Sequence, residues 1–376
     1  MEAPVKILVT GSKGFVGKNL VEELRNRGHA SILECTRGTA PSDLDRYAGE
    51  CAFVFHLAGV NRPREEREFF EGNRGFTKDL LALLERHGNP APIAFTSSIQ
   101  AVRDNPYGRS KKEAEDLLFA HGESTGSPVM VYRLPNVFGK WSRPDYNSAV
   151  ATFCHNIARD LPISIHDPEA EISLCHIDDL IAEFLRALEG TPTTDGRFCS
   201  VPEVHRKTVG EVADLVRSFR EGRKSLVLPN TGDPFARKLY STYLSFLPED
   251  GFGYPLVTHE DSRGSFTEIF RTPERGQVSV NVSKPGITKG DHWHHTKNEK
   301  FLVLSGRGII RFRKVGGTEI LEYPVGGESF LVVDIPPGYS HSISNTGETD
   351  LVTLMWASEC FDPEHMDTHL LEVRKQ

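Results

Sequence analysis

The feature that most constrains this chain is a change of hydrophobic period near residue 250. Before it, short apolar runs alternate with amphipathic stretches. Residues 6–10, 52–56, 93–96 and 129–132 read as strands buried on both faces, and 18–27, 73–86, 108–119, 209–220 and 235–246 carry helical periodicity. Strands alternating with helices predict a Rossmann-type α/β fold, a parallel doubly wound sheet. After it, short alternating strands at 277–283, 301–304, 308–312, 329–335 and 351–357 are separated by Gly- and Pro-rich turns. That texture predicts an all-β barrel or sandwich. Residues 248–255 have the Pro- and Gly-rich composition of a linker. The expected organisation is an α/β domain over 1–247, a linker over 248–255 and a β domain over 256–376.

Composition narrows the function classes. A chain of 376 residues is long enough for two domains. A net charge of -8 argues against a nucleic-acid partner, which wants a basic face. No apolar run approaches the roughly 20 residues of a membrane helix. The first strand begins almost at once, leaving no room for a signal peptide. The six cysteines lack CxxC pairing and fit a reducing cytoplasm. A soluble cytoplasmic protein with no membrane partner is expected.

The N-terminal half carries a nucleotide loop. Thr10-Gly11-Ser12-Lys13-Gly14-Phe15-Val16-Gly17 follows an apolar strand and opens a helix, the context in which Gly11-x-x-Gly14-x-x-Gly17 binds a dinucleotide pyrophosphate. The first glycine allows the tight turn, the second lets backbone approach phosphate, and the helix N-terminus supplies positive potential. The second strand ends near Cys35 and is followed by Thr36 and Arg37. Arg37 without a companion acid favours NADP(H), with Glu34 as the acid if the cofactor is NAD. Further on, Tyr107-Gly108-Arg109-Ser110-Lys111 puts a phenol and an ammonium on one helix face. The ammonium is expected to lower the phenol pKa toward working pH. Ser98, at the end of the preceding strand, can hydrogen-bond the same oxygen.

These motifs, in this order, resemble the extended short-chain dehydrogenase/reductase family over about residues 4–245. His56-Leu57-Ala58-Gly59 resembles its third-strand motif, Asn73 its fourth-helix asparagine, and His176-Ile177-Asp178-Asp179-Leu180 a later segment. Arg133-Leu134-Pro135-Asn136-Val137-Phe138-Gly139 resembles the stretch that approaches the sugar nucleotide, implying Arg133 and Asn136 as substrate contacts. The resemblance implies Tyr107 as proton donor to a ketone, Lys111 on the nicotinamide ribose, Ser98 orienting the carbonyl, and Leu57 and Ala58 at the cofactor. Ser98 and Tyr107 are closer in sequence than is usual in that family, which keeps Ser97 as an alternative.

The C-terminal half carries a metal pattern. His292-Trp293-His294 on a strand puts both imidazoles on one face. Glu299 follows, and His341 arrives after the Pro336-Pro337-Gly338 turn. Three imidazoles and a carboxylate suit zinc, iron, manganese or nickel, with zinc the expected ion. His295 is an extra imidazole that could replace His294 if the strand were bulged. Gly286, His292, His294, Glu299 and Gly306 match the first motif of the cupin family, and Pro336, Gly338, His341 and Asn345 most of the second.

A ketone reductase joined to a metal cupin points to a keto-sugar. The whole chain resembles bifunctional capsule-precursor enzymes acting as UDP-4-keto-sugar 3-epimerase and 4-reductase. That resemblance implies UDP-2-acetamido-2,6-dideoxy-β-L-arabino-hexos-4-ulose as substrate, on the way to UDP-N-acetyl-L-fucosamine. The alternative is a reductase whose cupin is a metal-stabilised dimerisation or binding module. A homodimer is expected under either reading, because cupins often pair through their sheets. His295, Lys297 and Tyr339 are all candidates for the base that would act at C3.

Overall fold

The computed structural model describes residues 5–374. It divides into two compact units: the chain up to Arg217 together with Pro234–Pro248, and Ser218–Asp233 together with the chain from Glu249 onward.

In the first unit, β1 (Ile7–Thr10) pairs in parallel with β2 (Ile32–Cys35) on one side and β3 (Phe53–His56) on the other. β4 (Ile93–Ser98) and β5 (Val129–Leu134) extend the sheet in parallel. Next come β6 (Asn136–Phe138) and β7 (Glu171–His176), which pair outside that sheet. The two-residue strands β8 (Thr194–Asp195) and β9 (Phe198–Cys199) close the far edge, giving the order β2-β1-β3-β4-β5-β9-β8. β10 (His205–Thr208) joins β7 antiparallel. The helices are α1 (Phe15–Asn26), α2 (Pro41–Glu50), α3 (Phe76–Arg86), α4 (Pro106–Thr125), α5 (Ala149–Ile157), α6 (Ile177–Leu188), α7 (Val209–Ser225) and α8 (Pro234–Leu244).

The expected doubly wound sheet is therefore present. Its strands are apolar throughout because both faces are covered. Ile7 and Val9 pack with Leu20, Leu24 and Phe184 on one side, while Leu8 packs with Leu80, Leu84 and Leu118 on the other. The strand order reverses between β1 and β3, and a crevice opens outside the carboxyl ends of strands at such a reversal. The Gly11 turn ends β1, and Leu57 and Ala58 follow β3, so both lie at that reversal. α4 is fixed at both ends: the Asn105 side chain accepts from Gly108 N at 2.8 Å, and Gly126 terminates it at φ 78°.

The second unit is built from β11 (Thr258–Asp261), β12 (Gly264–Thr272), β13 (Gly276–Ser283), β14 (Thr288–Trp293), β15 (Glu299–Ser305), β16 (Arg307–Lys314), β17 (Ile320–Gly326), β18 (Val332–Ile335), β19 (Tyr339–Asn345), β20 (Leu351–Ala357) and β21 (His369–Leu370). They form two antiparallel sheets, β11-β12-β13-β20-β15-β18 and β17-β16-β19-β14-β21. Phe301, Val303, Ile310, Phe312, Ile343 and Leu351 form its apolar cluster. β13 departs from the usual alternation. Gln277, Ser279, Asn281 and Ser283 are its buried side chains, while Val278, Val280 and Val282 are only half-buried.

The sequence expectation placed 218–233 within the first domain, whereas the structure groups it with the β unit. The reason is a backbone pairing: Leu228 N donates to Arg271 O at 2.9 Å and Arg271 N to Leu226 O at 2.8 Å, so residues 226–228, just after the end of α7, run along β12. Among the described residues no helix is long and apolar enough to cross a membrane.

Gly17 sets the packing of α1 on the turn before it. A Cβ there would overlap the Gly11 carbonyl and lie 2.8 Å from Ser12 Cα, both backbone atoms. Gly17→Ala is expected to destabilise the fold by about 1–3 kcal/mol through overpacking, read as a lower urea midpoint with unchanged m.

Candidate functional site

The glycine turn is shaped by close backbone approach. Gly11 adopts φ 70°, and a Cβ on it would sit 2.9 Å from Ala58 N. Gly11 N and Ser12 N donate to Cys35 O at 2.8 and 3.3 Å, tying the turn to the end of β2. Gly14 is the N-cap of α1 with no side-chain cap, and no acid occupies the first turn. The first-turn N–H groups of Phe15, Val16 and Gly17 therefore face no competing anion, an arrangement that fits a pyrophosphate. Lys13 and Arg37 are exposed. Glu34 pairs with Arg25 at 2.5 Å, so the acid that could have taken a ribose hydroxyl is engaged elsewhere.

A hydrogen-bonded chain links this turn to α4. Thr77 Oγ1 donates to Asn73 O at 2.7 Å, so it accepts from His56 Nε2 at 2.9 Å. That leaves His56 Nδ1 to accept from Thr10 Oγ1 at 2.8 Å, and Thr10 Oγ1 accepts from Leu57 N and Ala58 N at 3.1 and 3.2 Å. His56 is fully buried, and desolvation, with the Lys111 charge beside it, pushes its pKa down to about 3. It is a neutral structural imidazole. Asn73 lies in a π-helical turn, Phe70–Gly75, that leads into α3. Its side chain pairs with both backbone polar groups of Val60 and donates to Ser110 Oγ at 2.9 Å, and Ser110 Oγ donates to Tyr107 O at 2.8 Å.

Ser98, Tyr107 and Lys111 converge at the carboxyl end of β4. The Ser98 hydroxyl stands beside the Tyr107 phenol and acts to lower its pKa, whereas Ser97 is buried and donates to Glu115 at 2.5 Å. The geometry favours Ser98 over Ser97. Lys111 Nζ donates to Thr96 O at 2.9 Å, sits 4.9 Å above the Phe95 ring and lies against Gly59. Burial draws its pKa down to about 8 against the opposing pull of Glu115. The expectation that the ammonium lowers the phenol is overturned. Burial, with the ring packed 5.6 Å from Phe69, raises the Tyr107 pKa and outweighs the Ser98 hydrogen bond.

Arg133 and Asn136 are not brought to that group as free donors. Arg133 makes a bidentate pair with buried Glu115 at 2.9 and 2.6 Å and stacks on Phe198 at 3.9 Å. Asn136 is exposed, and its amide donates to Ser173 O at 3.3 Å.

In the second unit, His292, His294, Glu299 and His341 each offer a ligand atom, and these atoms lie within 4.8 Å of one another. Glu299 Oε2 is 3.5 Å from His294 Nε2 and 3.4 Å from His341 Nε2. Those three atoms are buried with no hydrogen-bond partner. Converging orphaned lone pairs of this kind fit a divalent cation, which would satisfy them together. The flanking imidazoles and Lys297 hold the Glu299 carboxyl well below its usual range despite burial.

The expected regular strand is bulged. β14 shifts register between Gly290 and His292, with Asp291 at φ 57°, and ends at Trp293. His294 lies just beyond it, and its Nδ1 bonds the Asp367 carbonyl, leaving Nε2 toward Glu299. The Asp367 carboxylate accepts from the backbone N–H groups of His295, Thr296 and Lys297 at 2.8 to 2.9 Å, holding the turn that carries His294. No spacing signal marked Asp367. His295 is exposed and meets Trp293 and His369 edge-on, and Tyr339 packs on the apolar cluster. Of the three candidate bases, Lys297 is the one on the cavity wall, its Nζ 3.6 Å from Glu299 Oε1. That cavity measures about 810 Å³ and is also lined by His292, Glu299 and His341.

Residues 7–196 match the NAD dependent epimerase/dehydratase family, and residues 259–369 match the polysaccharide biosynthesis C-terminal domain. The chain belongs to the NAD dependent epimerase/dehydratase family. Membership implies a nicotinamide cofactor, which the glycine turn fits. The chain is 45% identical over 369 residues to UDP-2-acetamido-2,6-beta-L-arabino-hexul-4-ose reductase of Pseudomonas aeruginosa, covering 98% of this chain and 99% of that protein. The capsular polysaccharide assembling protein CapF from Staphylococcus aureus matches with a TM-score of 0.93 at 51% identity, over 98% of this chain and 100% of that one. A UDP-glucose 4-epimerase from Thermotoga maritima shares the fold alone, with a TM-score of 0.55 at 20% identity over 64% of this chain and 98% of its own.

If the cluster takes a divalent ion such as zinc, Asp367→Asn is expected to weaken that binding by about 10–100-fold, because it loosens the turn that carries His294. Competition against a chromophoric chelator measures this, and an unchanged affinity would show that the turn is held without the carboxylate.

Proposed function

We propose that the chain reduces the C4 ketone of UDP-2-acetamido-2,6-dideoxy-β-L-arabino-hexos-4-ulose with NADPH, and that its second unit epimerises C3. The product is a precursor on the way to UDP-N-acetyl-L-fucosamine for a capsular or O-antigen polysaccharide. The observation that carries the reduction is the convergence of Ser98, Tyr107 and Lys111 beside a glycine turn free of acidic residues. The Pseudomonas aeruginosa relative, a reductase of such a hexulose, supports the substrate, and the likeness to the capsular polysaccharide assembling protein CapF supports the capsular context.

The geometry supports these roles. Burial keeps the Tyr107 phenol protonated at neutral pH, so it is ready to give its proton to the oxygen that forms at C4. Ser98, beside that phenol, orients the same oxygen. Lys111 is held four residues along α4, and its ammonium serves the nicotinamide ribose and the charge that builds on the phenol as its proton leaves. Bound NADPH supplies the hydride. With Glu34 paired to Arg25, exposed Arg37 suits the additional phosphate of NADPH.

In the second unit His292, His294, Glu299 and His341 would hold one divalent ion, with zinc favoured. Such an ion polarises the C4 carbonyl and acidifies the hydrogen at C3. The cavity beside the four ligands gives a sugar ring room to reach them.

Tyr107→Phe is expected to cut NADPH oxidation by about 100–10,000-fold, the usual worth of a positioned acid. For the free enzyme, kcat/KM for NADPH should fall above pH 8, because Lys111 loses its proton near there rather than at its ordinary 10.5. Lys111→Arg should move that limb upward. A profile flat to pH 10 would remove Lys111 from cofactor binding.

Solvent deuterium is expected to enter C3 when the keto-sugar is incubated with metal-loaded protein without NADPH, and His292→Ala should abolish this while sparing NADPH binding. Proton NMR of the recovered sugar reads the exchange. Undiminished exchange in the variant would return the second unit to a binding or pairing role.

A further inference from the structure

The cavity of the second unit is lined by four basic side chains: Lys224, Arg271, Lys289 and Lys297. Three are paired with carboxylates. Lys224 lies 3.5 Å from Glu221, Arg271 makes two 2.6 Å bonds to Glu268, and Lys297 is 3.6 Å from Glu299. Lys289 is different. Its Nζ donates to Asn281 Oδ1 at 2.7 Å and to Val282 O at 2.9 Å, both neutral acceptors. Among the described residues no carboxylate forms an ion pair with it. An ammonium carries three donors, so one is left for a group that enters the cavity. Half-buried and hydrogen-bonded to neutral acceptors, with Asp261 acting from beyond ion-pair distance and itself paired to Arg263, the ammonium is disfavoured by desolvation, which an anion in the cavity would relieve.

The strand register says where that anion would lie. On β14, His292 stands opposite His341 and Lys289 opposite Ile343, and all four line the cavity. His341 and Ile343 are two residues apart on β19, a separation of about 7 Å. The free ammonium donor is thus one inward-facing step along the sheet from the His/Glu cluster. A hexose with carbons 3 and 4 at the cluster would present the phosphate on its anomeric carbon in that direction. The adjoining wall suits a sugar, because β13 turns Gln277, Ser279 and Asn281 to the cavity rather than valines.

We propose that Lys289 is the anion-binding residue of this cavity, receiving the diphosphate of a nucleoside-diphosphate sugar whose ring lies over the His292, His294, Glu299 and His341 cluster. The inference rests on the reading that the second unit acts on such a sugar. Lys289 is a positioning residue: it anchors the charged end of the substrate and takes no proton from it.

The test uses the full-length, metal-loaded protein as wild type, Lys289→Met and Lys289→Arg. Deuterium exchange at C3 is followed without NADPH on the UDP-keto-sugar and on the methyl glycoside of the same keto-sugar, which lacks phosphate. Lys289→Met is expected to lose about 10–100-fold in kcat/KM on the UDP-sugar, carried by KM, the scale of one charge-assisted hydrogen bond. It should be near wild type on the methyl glycoside, and Lys289→Arg should retain most of the activity. Equal losses on both substrates would overturn the proposal, since they would mark a structural role. Calorimetric titration with UDP needs no turnover: wild type is expected to bind two UDP per chain and Lys289→Met one. An isotherm unchanged by Lys289→Met overturns the assignment of Lys289. Absence of exchange in wild type would instead sink the epimerase reading, leaving the titration to decide Lys289.

Discussion

The first unit depends on one buried hydrogen-bond chain. It starts at Thr10 on β1, passes through the neutral ring of His56 on β3 to Thr77, and continues through Asn73 and Ser110 to the Tyr107 carbonyl in α4. Each member is buried or nearly so, and an unsatisfied member would carry the full desolvation penalty. The chain therefore fixes the glycine turn, the Leu57-Ala58 backbone and the helix bearing Tyr107 and Lys111 in one arrangement. A cofactor site at a strand-order reversal needs that coordination, because its parts come from separate βα units.

The second unit meets the same requirement in the opposite way. Glu299, His294 and His341 aim buried atoms at one another and leave them without protein partners. Around them the protein is heavily bonded: the Asp367 carbonyl holds His294 and the Asp367 carboxylate holds the following turn. Orienting groups are satisfied while the oriented atoms are left open, an arrangement that fits a divalent ion.

Much of this was legible in the chain. The change of period placed an α/β unit before a β unit, and the spacings picked out Gly11, Gly14, Gly17, Tyr107, Lys111, His292, His294, Glu299 and His341. What was not legible depended on partners distant in sequence. Arg133 matched a substrate-contact motif, yet its guanidinium is taken by Glu115 from another element. The pairing of 226–228 along β12 could not be inferred from a helical stretch that sits before the linker. β13 reads as an ordinary alternating strand whose valines should face inward. Its buried face is the polar one, because that face meets a cavity rather than an apolar core.

Element type, element order and the residues that meet at the two clusters could be read from the chain, because period, turn chemistry and motif spacing are local properties. Long-range packing set which hydroxyl stands beside the Tyr107 phenol, made burial raise rather than lower that phenol, and left Lys289 hydrogen-bonded to neutral acceptors alone. Those outcomes depend on desolvation and on which non-local partners each polar group finds, and neither is encoded at any single stretch of the chain.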